Sequence, residues 1–282
     1  MARFRSVFRD DLFSGQVVVV TGGGTGIGRT IAHELASLGA QVVICGRRSE
    51  PLEKTAAELE AAGGAVSWRT LNIREEDSVK EFFAWVVAER GRLDALVNNA
   101  GGQFVSPAES IKAKGWHAVV ETNLTGAFLC CREAFQAYMG EHGGSIVSIV
   151  SEMWRGFPGM AHSGAARAAV VNLTQTLAVE WAARGIRVNA VAPGLIESSG
   201  LETYPEAVQG FLNEIKGDLP FHRMGTEAEV SGAVAYLLSP AGAYVSGETI
   251  RVDGAGSLWR KTWPIPVHDR FPRFEGYAEE PS

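Results

Sequence analysis

The residues best suited to chemistry open with Thr21-Gly22-Gly23-Gly24-Thr25-Gly26-Ile27-Gly28, a glycine-rich turn between one apolar run and a helical pattern beginning near Arg29. Glycines at such a place let a strand turn sharply and bring the backbone close to a pyrophosphate. Free N–H groups and the positive end of the following helix then meet its charge. Gly22, Thr25, Gly26, Ile27 and Gly28 are therefore candidate dinucleotide-binding residues. About 20 residues beyond such a turn, an acidic side chain would accept hydrogen bonds from the ribose hydroxyls and repel a 2′-phosphate. This chain instead reads Cys45-Gly46-Arg47-Arg48. Guanidiniums at Arg47 and Arg48 suit a phosphate clamp and favour NADPH/NADP. The plainer alternative is a solvated arginine pair facing the acidic residues of the next helix.

A turn of this kind needs a strand before it and a helix after it. Short, β-branched runs predict seven strands: Gln16–Val20, Gln41–Cys45, Val66–Leu71, Ala95–Val97, Ser145–Val150, Arg187–Val191 and Thr249–Val252. Helical periods lie between them, at Gly26–Leu38, Leu52–Ala62, Glu75–Glu89 and Ala165–Ala183. The alternation predicts one α/β domain, a doubly wound Rossmann sheet of seven parallel strands covered on both faces, over residues 1–256. From Ser257 the pattern gives way to Pro, Trp and charge, which predicts a C-terminal extended arm over 257–282; its two Trp and two Phe favour packing on this subunit or a neighbour.

Composition excludes several classes. The 282 residues are 46% hydrophobic and 21% charged, ordinary for a folded protein with a sizeable core. The formal charge of −6 offers no basic stripe for nucleic acid. No apolar run approaches the roughly 18 residues of a membrane span, so no membrane partner is expected. Cys45, Cys130 and Cys131 are an odd count without metal-ligand spacing, each in an apolar run that predicts a buried thiol, and no metal site is expected.

The glycine spacing, Gly-x-x-x-Gly-x-Gly, resembles that of the short-chain dehydrogenase/reductase family, and further matches follow in order. Asn72-Ile73 stands where that family holds the adenine edge. Asn98-Asn99-Ala100-Gly101 matches its turn under the adenine ribose, Asn123 its helix-kinking asparagine, and Pro193-Gly194 its turn beside the nicotinamide. The resemblance implies that Asn72, Ile73, Asn99, Ala100, Gly101, Pro193 and Gly194 join the cofactor site.

Alignment on Ala168-Ala169-Val170, Leu173-Thr174 and Glu180-Trp181 puts Ser163 and Arg167 where the family carries its Tyr and, four residues later, its Lys. A serine hydroxyl is shorter and far less acidic than a phenol of pKa about 10. Arg167 can hold ribose hydroxyls and supply positive charge, but cannot relay a proton at neutral pH. The resemblance makes Ser151 a substrate-contacting hydroxyl, with a strand-end cap as the alternative. His162, beside the vacated Tyr position, could donate or relay a proton, or be a packed or surface imidazole. Glu152 could orient a histidine, though a solvated carboxylate is the simpler reading. Ser151, His162, Arg167 and Asn123 are the candidate catalytic residues.

Reducing a double bond conjugated to a thioester sends hydride to the β-carbon and collects charge on the thioester oxygen, where hydrogen-bond donors suffice. The segments Gly101–Phe104, Ser106–Glu109, Lys114–Val119 and His162–Arg167 resemble the peroxisomal trans-2-enoyl-CoA reductase branch, and the chain is also similar to 2,4-dienoyl-CoA reductases and to bacterial citronellol dehydrogenase-like relatives. The resemblance implies NADPH-dependent reduction of trans-2-enoyl-CoA, with acyl-CoA or another small molecule as substrate. The alternatives are an NADP-dependent alcohol dehydrogenase for branched or terpenoid alcohols, and a non-catalytic dinucleotide-binding protein. Val171 and Gln175 stand where that branch carries a second Tyr-x-x-x-Lys, and Tyr204, in a substrate loop over Leu195–Pro220, is the nearest spare phenol. Relatives pair long helices, here Gly126–Met139 and Ala165–Ala183, which implies a homodimer or homotetramer. Glu280-Pro281-Ser282 is no peroxisomal address, so the cytoplasm is expected.

Overall fold

Four consecutive valines followed by threonine build the first strand, β1 (Val17–Thr21), and all five residues are buried. Val18 and Val20 pack into one apolar cluster and Val17 and Val19 into another, so the strand must be covered on both faces. The computed structural model describes residues 4–198, 210, 214–260 and 263–277. Within them β1 sits in the interior of a seven-stranded parallel sheet with β2 (Gln41–Gly46), β3 (Ala65–Thr70), β4 (Ala95–Asn98), β5 (Gly144–Ile149), β6 (Ile186–Pro193) and β9 (Thr249–Val252), in the order β3-β2-β1-β4-β5-β6-β9.

The predicted strands are all present, Thr249–Val252 with its predicted ends and the others with ends shifted by at most two residues. The sheet grows from β1 through β2 in one direction and through β4 in the other. That reversal opens a crevice beyond the carboxyl ends of β1 and β4. Side chains from α1 (Gly26–Ser37), α2 (Ser49–Ala61) and α7 (Glu227–Leu238) cover one face, through Ile31, Leu35, Leu52, Val230 and Val234. On the other face lie α3 (Glu76–Arg90), α5 (Gly126–Ala134) and α6 (Ala161–Glu180), with Phe82, Phe83, Leu129 and Leu177 inward. A short α4 (Ala113–Val120) runs into α5 through a wider π turn, Glu121–Thr125. The three cysteines are buried, and burial pushes the Cys131 thiol up to about 12.

Between β6 and β9, two short strands outside the seven expected ones, β7 (Ile196–Glu197) and β8 (Gly225–Thr226), form a small parallel pair. Thr226 then caps α7: its hydroxyl accepts from the Glu229 N–H, while Glu229 accepts from the Thr226 N–H. Residues 263–277 cross this region without regular structure. Arg273 pairs with Glu197 at 2.6 Å, Arg223 donates to the Phe271 and Pro272 carbonyls, and Tyr277 bridges to Phe4. No helix among the described residues is long and apolar enough to cross a membrane.

Candidate active site

The turn after β1 is held open from across the sheet. Asn99 Nδ2 donates to the Thr21 and Gly22 carbonyls at 3.0 and 3.2 Å, and Thr21 Oγ1 accepts the Asn99 and Ala100 N–H groups at 3.0 Å. Gly22 adopts φ +67°, a conformation that favours glycine. A Cβ on Gly28 would lie 2.3 Å from both Asn99 Nδ2 and the Gly22 carbonyl, so only glycine lets the start of α1 approach the strand end. Thr25 makes no side-chain capping bond to α1, whose first residues Gly26, Ile27 and Gly28 line the crevice.

A cleft of about 1000 Å³ occupies the crevice. Gly22, Thr25, Gly26, Ile27 and Gly28 form one wall, with Arg47 and Arg48 exposed at its rim beyond β2. Neither arginine makes an ion pair with a described residue. Asn72, Ile73, Asn99, Ala100 and Gly101 continue the lining, and Pro193 and Gly194 close the far end. The Asn72 amide donates to Glu75 at 2.6 Å, while Ile73 packs where a Cβ on Gly126 would meet it at 2.7 Å. This set runs from a helix N-terminus and two guanidiniums to the Pro193-Gly194 end. It fits an elongated dinucleotide, its pyrophosphate at the glycine turn and helix N-terminus.

Of the candidate catalytic residues, Ser151 and Arg167 line the cleft, whereas Asn123 and His162 lie behind its wall. Arg167 reaches from α6 to the end of β5, Nη1 donating to the Ile149 carbonyl at 2.7 Å. Asn123, in the π turn, grips one residue twice: Oδ1 accepts the Gly102 N–H at 2.8 Å and Nδ2 donates to the Gly102 carbonyl at 2.9 Å. That fixes the loop over which Arg167 lies, since a Cβ on Gly101 would be 2.9 Å from Arg167 Nη2. His162 is fully buried, its Nδ1 accepts the Ser163 N–H, and its ring packs at right angles to Phe104 with centroids 4.3 Å apart. Ser163 is also fully buried, and its hydroxyl donates to Gln103 Oε1 at 2.7 Å. Val171 is half-buried, Gln175 is exposed, and Tyr204 lies outside the described residues.

Sequence reasoning missed Gln103, Asp253, Phe157 and Met160 as lining residues and ranked Glu152 low. Glu152 directly follows Ser151 in the wall, and Glu152 Oε1 and Ser151 Oγ are shut off from solvent without a hydrogen-bond partner among the described residues. Burial, then the neighbouring Asp253 charge, pushes the Glu152 carboxyl above the usual range. The only sequence signal was its place after Ser151; the burial comes from elements distant in the chain.

A family profile described as "Enoyl-(Acyl carrier protein) reductase" matches residues 22–256. The chain is 37% identical over 254 residues to a Bacillus subtilis (strain 168) protein named "Probable 2,4-dienoyl-CoA reductase", covering 89% of this chain and 99% of the relative. Among solved structures it is similar to a citronellol catabolism dehydrogenase of Pseudomonas aeruginosa PAO1, with 53% identity and a TM-score of 0.81 over 89% of this chain and 99% of that one. A Beutenbergia cavernae NAD(P)-dependent dehydrogenase structure, with NADP bound at low occupancy, shares 34% identity at a TM-score of 0.82, covering 88% of this chain and 98% of that one.

Proposed function

Since this chain belongs to the short-chain dehydrogenase/reductase family of oxidoreductases, we propose that it uses NADPH to reduce the conjugated α,β double bond of an enoyl thioester such as trans-2-enoyl-CoA. The observation that carries this reading is Ser163: it stands where the family places its phenolic acid, it is fully buried, and its hydroxyl is committed to Gln103. Ketone reduction needs a matched acid at the developing alkoxide, whereas conjugate reduction first needs donors for a thioester enolate. Ser151 is the hydroxyl in the wall for that oxygen, and Arg167 adds positive charge beside it. Bound NADPH would supply the hydride. Arg47 and Arg48 favour its 2′-phosphate, the glycine turn and α1 hold the pyrophosphate, and Pro193-Gly194 flank the nicotinamide end. The named dienoyl-thioester relative supports the substrate class.

A second reading, oxidation of a branched or terpenoid alcohol with NADP, is favoured by the relative that is 53% identical. Purified protein given NADPH with crotonyl-CoA, and separately NADP with citronellol, is followed at the nicotinamide absorbance band. Consumption with crotonyl-CoA supports the first reading and formation with citronellol the second; tight cofactor binding with neither turnover points to a non-catalytic binding protein. A homodimer or homotetramer belongs to the same proposal, through the outward face of α6, where Ala165, Ala168 and Val179 are exposed; size-exclusion chromatography with light scattering tests it.

A further inference from the structure

We propose that Glu152 is the acid that delivers the α-proton in the second half of the reduction, a role that rests on the enoyl-thioester reading above. Its place follows from the sheet. The Val150 N–H donates to the Val191 carbonyl at 2.8 Å and the Glu152 N–H to the Pro193 carbonyl at 3.1 Å, so the chain leaving β5 is zipped against the end of β6. This carries Glu152 to the rim where Pro193 and Gly194 stand, next to Ser151 in the same wall. One carboxyl oxygen is closed off from solvent and unbonded among the described residues.

Three charged groups face it. Asp253, beyond β9, accepts the Ala255 and Ser257 N–H groups at 3.0 and 3.1 Å, and its negative charge opposes ionisation of Glu152. Arg251 and Arg155 act the other way, but neither is within ion-pair distance of the carboxyl. Arg251 lies 4.2 Å over the Trp154 ring, and Arg155 donates to the Trp259 carbonyl at 2.6 Å. Burial and Asp253 prevail, which raises the carboxyl of the acid next to Ser151 above its usual range and suits it to donate a proton.

The alternatives in the site are committed elsewhere. The Ser163 hydroxyl serves Gln103, His162 sits behind the wall, and a guanidinium does not release a proton at neutral pH. No described tyrosine lines the cleft.

The step balances. Hydride forms the new Cβ–H bond, and the π electrons move toward the thioester oxygen as an enolate. The Glu152 O–H bond then breaks as Cα–H forms and the carbonyl is restored. Glu152 is left as a carboxylate, to be reprotonated by water.

The test compares the full-length protein with Glu152→Gln and Glu152→Asp, using crotonyl-CoA and NADPH in ordinary and heavy water. Glu152→Gln is expected to lose on the order of 10²-fold or more in turnover with NADPH affinity unchanged, and Glu152→Asp to recover part of it. The alkaline fall in the wild-type pH profile should be absent from Glu152→Gln, and solvent deuterium at Cα should lose its facial selectivity. Infrared difference spectra of the protein alone across pH should show a protonated-carboxyl band that titrates above the usual carboxylate range and that Glu152→Gln removes. Wild-type turnover and selectivity in Glu152→Gln would overturn the role alone, as would the absence of that band; a larger loss in Tyr204→Phe with Glu152→Gln unaffected would move the role to Tyr204. A wild-type protein inert toward every enoyl thioester would overturn the functional reading, and this role with it.

Discussion

Ser163 Oγ and Gln103 Oε1 lie 2.7 Å apart, the hydroxyl donating across the gap between α6 and the loop after β4. The serine therefore ties a loop in place. Ser163→Ala should keep turnover within a few-fold of wild type while lowering stability by about 1 kcal/mol, the usual net worth of one hydrogen bond. Steady-state kinetics and a denaturant midpoint measure both, and a loss of several hundredfold in turnover would make the hydroxyl catalytic.

Arg47 and Arg48 bear on cofactor choice and little on folding, since both are exposed. Replacing both by Ala should raise the Kd for NADPH by about tenfold or more, in line with the loss of charge-assisted hydrogen bonds, and leave that for NADH nearly unchanged. Fluorescence titration with the two cofactors decides this, and equal weakening of both would mean that the pair does not read the 2′-phosphate.

Asn123 grips Gly102 as donor and acceptor together, so Asn123→Asp sets a carboxylate against a carbonyl that the amide now satisfies. The expected cost is about 1–3 kcal/mol of stability, with weaker NADPH binding as the Gly101 loop shifts under Arg167. Thermal melts with and without NADP, together with a Kd, read the two effects.

Glu34, on α1, is 1% exposed and accepts from the Ser6 and Ser231 hydroxyls. Burial raises its pKa against the pull of those bonds, so the folded state holds this proton more tightly than the unfolded chain. Its contribution is most favourable in acid and is lost as pH rises through the folded value. Glu34→Gln should therefore raise Tm at mildly alkaline pH and change it little in acid, as melts across pH would reveal.

The sheet was legible because its strands are short β-branched runs such as Val17–Val20, and the cofactor wall because glycine, asparagine and proline mark turns by conformation. Side-chain direction was not. His162 and Ser163 are neighbours on α6, and whether either faces the cleft depends on Phe104 and Gln103, some 60 residues away. Glu152 reads as an ordinary surface acid until β6 and Asp253 enclose it. The pair β7 and β8 has two residues in each strand, too few to carry a period.

Thr21 Oγ1 donates to the Val97 carbonyl while it accepts from Asn99 and Ala100, an arrangement that needs β1 and β4 paired as Val20 with Val97. A slip of one residue would turn Thr21 to the opposite face of the sheet and release Asn99 from the glycine turn. The cleft thus acts as a proofreader of strand pairing: only correctly registered chains can bind the dinucleotide, so its presence during refolding would draw the population toward them by mass action.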